Sequence, residues 1–274
     1  MKARRTDLAM ERLDGLGQTA VPGVAWAEWR REPLAIHRVE VLDEEGAAAL
    51  GRPRGQYLTA QLAADAPWDS RWMWRAARVL AGLLQPLLPR EGLILVAGLG
   101  NRAMTCDALG PLTLEQLMVT RHLRQALPEH FSDLRPVCAV APGVLGDTGV
   151  ETAELLHGVV RQTAPAAVIA VDALAAGRPE RLCRTFQLCD SGIAPGSGAC
   201  NPRKALNRET LGVPVVALGV PTVVETDLPP EGALLLSPRD IDRQVSRCAR
   251  LLGWAINLAL QGPLSLTEME QFLC

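Results

Sequence analysis

Two short apolar runs constrain this chain most. Leu93–Ala97 (LILVA) and Ala166–Val171 (AAVIAV) carry no polar side chain. Runs of this length, flanked by turn-forming sequence, read as strands buried on both faces. The first gives way to Gly98, Gly100 and Asn101, then to a loop carrying Asp107 that closes on Gly110-Pro111. The second ends on Asp172, followed by Ala173-Leu174-Ala175-Ala176. Ligands of open α/β sheets bind beyond the carboxyl ends of the strands. Asp107 and Asp172 are therefore expected at one edge of one sheet, close enough to meet.

The rest of the chain supports such a sheet. Residues 1–34 are turn-rich and predict an irregular segment. Ala35–Leu42 alternates apolar and polar residues, the pattern of a half-exposed strand, and Gly55–Thr59 reads as another. Asp69 and Ser70 are candidate caps for a helix through Leu88, with Trp72, Met73, Ala76, Val79, Leu80, Leu83, Leu84 and Leu87 on one face. A helix is expected from Pro111 to about Leu127, a strand at Val137–Val140, and a helix over Glu151–Thr163. Strands are expected next around Leu182–Leu188 and Val213–Gly219. Ser237-Pro238-Arg239-Asp240 has the form of a capping box for a helix to Leu260. Strands alternating with helices predict one α/β domain spanning 1–274, its mostly parallel sheet flanked by helices on both faces.

Charge excludes some functions. Lys+Arg 28 against Asp+Glu 30 leaves a net charge of −2, with no overall basic field to hold nucleic acid directly. The N-terminus leads into no apolar signal segment, and apolar runs such as Val213–Val224 are broken by Gly and Pro short of a membrane span. A cytoplasmic protein with no membrane partner is expected. Seven cysteines show no C-x-x-C spacing, so neither disulfides nor a zinc site are predicted.

Among candidate chemistries, Gly98-Leu99-Gly100-Asn101-Arg102-Ala103 mimics a dinucleotide fingerprint. No helix begins at once and no acid ends a strand about 20 residues on, as ribose binding requires. Glycines serving a tight turn near a site are the better reading, and no cofactor is expected. His37, His122, His130 and His157 are scattered and form no metal motif, so no metal site is predicted. Ser191 and Ser197 lack the G-x-S-x-G setting, and no histidine is placed to activate Cys106. Asp107 and Asp172 are each, alone, plain loop acids or caps. Together they form a pair that cannot easily ionise at once; one takes a proton from water while the other donates to a carbonyl oxygen. Arg203 and Lys204, after the loop SGIAPGSGACNP, are a surface pair or else readers of a substrate carboxylate.

With these residues in place, the sequence resembles the germination protease family of endospore-forming bacteria. The likeness rests on RTDLA at Arg5–Ala9, GLGN at Gly98–Asn101, DALGP at Asp107–Pro111, TRHL at Thr120–Leu123, ET at Glu151-Thr152 and DALAA at Asp172–Ala176. DSGI and PGSG within Asp190–Gly198, ETLG at Glu209–Gly212 and PTVV at Pro221–Val224 continue it in order. The resemblance implies an atypical aspartic endopeptidase with a hydrogenase-maturation-protease-like fold. It implies small acid-soluble spore proteins as substrates, cut after an acidic residue, and a tetramer in the spore core. Its two essential aspartates fall on Asp107 and Asp172; Arg203, Lys204 and Asn101 are expected to bind substrate. Members are made as zymogens; Met1–Arg4 precede RTDLA here, and Asp7-Leu8-Ala9 itself resembles a cleavage site, which predicts trimming there. Relatives carry a long insertion after PTVV, where this chain has Glu225–Leu236. The rival readings are a metal-dependent maturation protease on the same scaffold and a non-catalytic binding protein.

Overall fold

The computed structural model describes residues 5–17, 20–196, 203–228, 232–262 and 264–273. Its strands are β1 (Val24–Arg31), β2 (Leu34–Val41), β3 (Gly55–Leu62), β4 (Ile94–Gly98), β5 (Val137–Val140), β6 (Ala167–Ala176), β7 (Thr185–Cys189), β8 (Val215–Leu228) and β9 (Gly232–Leu236). They form one sheet in the order β1-β2-β3-β7-β8-β6-β4-β5, with β9 paired to β8. The α/β class expected from the sequence holds. The sheet, however, is mixed. β5, β4, β6 and β8 are mutually parallel, whereas β7, β3, β2 and β1 continue it antiparallel. Helical crossovers return the chain to the starting end of the sheet and make β4, β5 and β6 parallel, whereas the tight turn at Glu32-Pro33 between β1 and β2 can only reverse the chain.

Three further expectations are corrected. Residues 1–34 are not uniformly irregular: Ala9–Gly15 is helical and Val24–Arg31 is β1. The helix is too short to show a period, and β1 is an edge strand whose side chains are mostly exposed, so no burial alternation is written into it. The single helix expected after Pro111 is two, Leu109–Leu114 and Arg121–Ala126. Between them Asn257 accepts from the Met118 N–H (2.9 Å) and donates to the Gln116 carbonyl (2.8 Å), supplying partners that a helix would otherwise provide. The last long helix starts at Ile241 without a side-chain cap, so the capping box at Ser237 does not form.

Alternation along β6 sorts its residues onto two faces. Ala167, Ile169 and Val171 join a core with Met73, Leu80 and Leu84 of the Ser70–Leu84 helix and Val245, Leu252 and Ile256 of the Ile241–Gln261 helix. Val168 and Ala170 look the other way, into a cluster with Leu156 and Val160 of the Thr152–Thr163 helix. Leu174 and Ala176, further along that same face, pack with Leu8, Met10 and Leu13 from the N-terminal segment. Asp172 falls between these two clusters.

Candidate active site

β4 stops at Gly98, which pairs with Val171 of β6. The Leu99 N–H still reaches the Val171 carbonyl (2.8 Å) before the chain turns away. Asp172 is thus the first residue of β6 beyond the end of β4. It lies within a strand, not past its end as expected, because pairing with β8 carries β6 on to Ala176. Gly100 makes the turn at φ +101°; a Cβ there would sit 2.1 Å from the Asp107 carbonyl oxygen, so only glycine fits. The loop returns through one turn of 3-10 helix, Thr105–Asp107. The Thr222 hydroxyl of β8 donates to the Cys106 carbonyl (2.7 Å) and ties that turn down. Asp107 thereby comes back over the end of β4, where the Asn101 N–H donates to its Oδ2 (2.7 Å).

Both carboxyls open on one cavity of about 240 Å³, lined also by Cys106, Val144, Glu151, Leu174 and Arg203. Their environments differ. Asp107 is half-buried, and burial raises its pKa while the Asn101 N–H opposes the shift. Asp172 is 5 % exposed. Burial, then the charge of Asp107, raises its pKa well above the usual carboxylate range, against a 2.9 Å hydrogen bond from the Ala173 N–H; Asp7 adds to the rise. Asp172 therefore holds a proton over a range in which Asp107 has lost its own. Burial and Asp107 also raise the Cys106 thiol, keeping it neutral.

Arg203 borders the cavity, with Nη1 3.8 Å from Oε1 of Glu151. Lys204 is exposed and does not line the cavity. Nor does Asn101: its side chain accepts from the Ala103 N–H (2.8 Å) and donates to Asp147 (3.3 Å). Asn101 acts on the site through its backbone N–H, by holding Asp107. Sequence reasoning assigned no role to Glu151 or Thr222, although the first opens the ET motif and the second lies within PTVV. Among the described residues no group of three His, Cys, Asp or Glu is arranged to hold a metal ion, and no helix is long and apolar enough to cross a membrane. Ser197 lies outside the described residues; Ser191 donates to the Tyr57 hydroxyl (2.9 Å).

The trimming expected at Asp7-Leu8-Ala9 meets a folded segment. Asp7 exchanges hydrogen bonds with the Ala175 backbone, its N–H to the carbonyl and its Oδ2 from the N–H, each 2.9 Å. Gln187 clamps the Asp7 carbonyl (2.9 Å) and the Ala9 N–H (2.8 Å). Leu8 is fully buried. Cleavage at this bond requires the segment to leave the sheet first.

Fold and cavity together define an α/β protein with a two-carboxyl cleft at the carboxyl ends of its parallel strands. Comparison with known proteins makes the class specific. The family model for germination protease matches residues 3–229. A germination protease of Caldanaerobacter subterraneus subsp. tengcongensis is 39 % identical over 98 % of this chain and 98 % of its own. One of Clostridium tetani is 34 % identical over 98 % and 99 %, and one of a Geobacillus species 43 % over 82 % and 64 %. Among solved structures, a [NiFe] hydrogenase maturation protease, HycI, of Thermococcus kodakarensis covers 64 % of this chain and 98 % of its own, at 20 % identity and a TM-score of 0.39. The chain belongs to the germination protease family, and is a peptidase.

Proposed function

We propose that this chain is an aspartic endopeptidase that begins the breakdown of small acid-soluble spore proteins at germination, inside the spore. The observation that carries the reading is the inequality of two carboxyls on one cavity: a buried Asp172 that keeps its proton, and a more accessible Asp107 that gives its proton up. Asp107, ionised, takes a proton from a water between them as that water attacks the scissile carbonyl. Asp172 donates its proton to the carbonyl oxygen. When the tetrahedral intermediate collapses, Asp107 passes its proton to the departing amine, and Asp172 recovers one from the new gem-diol. The pair titrates as a unit, so activity has a bell-shaped pH profile. The acid limb marks uptake of a second proton by the pair and the alkaline limb loss of the proton they share.

An acidic substrate side chain is read by Arg203, whose guanidinium exchanges Glu151 for the substrate carboxylate. Leu174 is shared with a second cavity of about 120 Å³, lined by Tyr57, Ile193 and Ala217, which takes a neighbouring substrate side chain. The test is cleavage-site mapping on a spore-protein substrate with wild type, Asp107→Asn and Asp172→Asn. Cuts after acidic residues by the wild type alone support the reading; undiminished turnover by either variant removes it.

A further inference from the structure

On the sheet face opposite Asp172, the Ser70–Leu84 and Ile241–Gln261 helices pack together. Contacts advance in the same direction along both: Arg247 on Trp68, Trp74 on Trp254, Gln85 on the Ala259 carbonyl. The helices therefore run parallel, with their outer surfaces side by side. Arg71, Arg75 and Arg78 recur at helical spacing on the first, and Arg243, Arg247 and Arg250 on the second, with Arg239 one turn before it. Arg31 of β1 lies over Gly82, 3.3 Å from where a Cβ would be, and prolongs the first row. Each row covers about 16 Å of helix axis, at ~1.5 Å per residue.

The two helices hold six arginines against one acid, Asp242, so they carry 6 − 1 = +5 while the rest of the chain carries −2 − 5 = −7. Among the described residues none of these arginines forms an ion pair with a carboxylate. Of the nearby acids, Asp69 caps the Trp72 N–H and Asp240 accepts from Gln244, which leaves Asp242, beside Arg243, as the one acid within the rows. Charge of one sign, concentrated in two rows with a single acid, Asp242, among them, calls for an anionic partner. Trp254 is buried, Trp68, Trp72 and Trp74 are partly buried, and no large hydrophobic residue of either helix is exposed; Trp29, on the same face of β1 as Arg31, is exposed at one end of the rows. One tryptophan at one end offers a membrane little to insert along the length of the rows, so a membrane surface is disfavoured. Duplex nucleic acid fits better, presenting one phosphate charge per roughly 1.7 Å of axis and so about ten over the length of a row.

We propose that the paired arginine rows of these two helices bind the phosphate backbone of duplex nucleic acid, without base specificity. The net charge of −2, which predicts no such partner, averages this segregation away. The experiment is fluorescence anisotropy of the full chain with a labelled 20-base-pair DNA of arbitrary sequence, titrated with salt. Six phosphate contacts give a slope of log affinity on log salt of roughly −5. Replacing Arg71, Arg75, Arg78 and Arg243 together by Gln is expected to weaken binding at least tenfold at low salt, and to flatten the slope to roughly −2. The melting temperature, measured in parallel, should not move. Should the fourfold variant fail to melt cooperatively, Arg75→Gln and Arg78→Gln singly should each flatten the slope by roughly 0.9. No binding at low salt, or unchanged affinity and slope in the variants, overturns the proposal. So does tighter binding to polyglutamate or to phosphatidylserine vesicles than to the duplex.

Discussion

The two faces of β6 are built from one stretch of ten residues and end up with opposite properties. On one side Ala167, Ile169 and Val171 are sealed beneath two long helices in a single continuous core. On the other, cover is supplied in two pieces, the Thr152–Thr163 helix and the N-terminal segment, and Asp172 occupies the interval. The sealed face supplies stability. The divided face gives up some of it to leave a carboxyl buried yet bordering a cavity, and a carboxyl so placed has its pKa moved.

The hardest test of this contrast is at the carboxyls. Asp107→Asn and Asp172→Asn should each lower kcat on an acidic-site peptide by about a thousandfold, within the range for losing general acid or base chemistry, with the fold intact by circular dichroism. Leu80→Ala, on the sealed face, should do the reverse. Leu80 is 1 % exposed, and its truncation should destabilise the protein by about 3 kcal/mol while kcat of the folded fraction stays unchanged. A large fall in kcat for Leu80→Ala would show that the two faces are not independent.

Asp172→Asn also sharpens the contrast through stability. Asp172 titrates higher in the folded chain than its ordinary value of 3.8. The folded state thus binds more protons than the unfolded one between those two pKa values, and stability falls as pH rises through that window. Below 3.8 the penalty is absent; above the folded pKa it is complete. Asparagine cannot ionise and can still accept from the Ala173 N–H. The variant should therefore melt above wild type at neutral pH, and the gain should vanish at about pH 3, below the ordinary carboxylate range. A melting temperature below wild type at neutral pH would mean that the carboxyl is not strained by its burial.

Much of this was legible in the sequence. Unbroken apolar runs mark β4 and β6, because a strand covered on both sides needs apolar residues on both. The pairing of Asp107 with Asp172 came from strand ends alone. The features that stayed hidden depend on contacts distant in sequence. The break after Leu114 is set by Asn257, about 140 positions away, and no local pattern announces it. β1 hides because an edge strand exposes most of its side chains. That Asp172 lies inside β6 depends on β4 ending sooner than β8, a matter of register between three strands. Arg203 and Lys204, as neighbouring cations, differ only once the cavity is seen.

Those two residues give the smallest and most discriminating comparison. Arg203 borders the cavity beside Glu151, and Lys204 is exposed outside it. Arg203→Gln should raise KM for a substrate with an acidic residue before the cut by about tenfold, equivalent to about 1.4 kcal/mol, and leave KM for its amide counterpart unchanged. Lys204→Gln should change either KM by less than about twofold, as expected of an exposed charge screened by solvent and salt. The ion pair predicts a third outcome. On the proposed reading Glu151 and the substrate carboxylate share one guanidinium, so Glu151→Gln should lower KM for the acidic substrate, and only while Arg203 is present. If Glu151→Gln lowers KM equally in an Arg203→Gln background, the acid acts by repelling substrate rather than by occupying the arginine, and Arg203 loses its role as the reader of the acidic side chain.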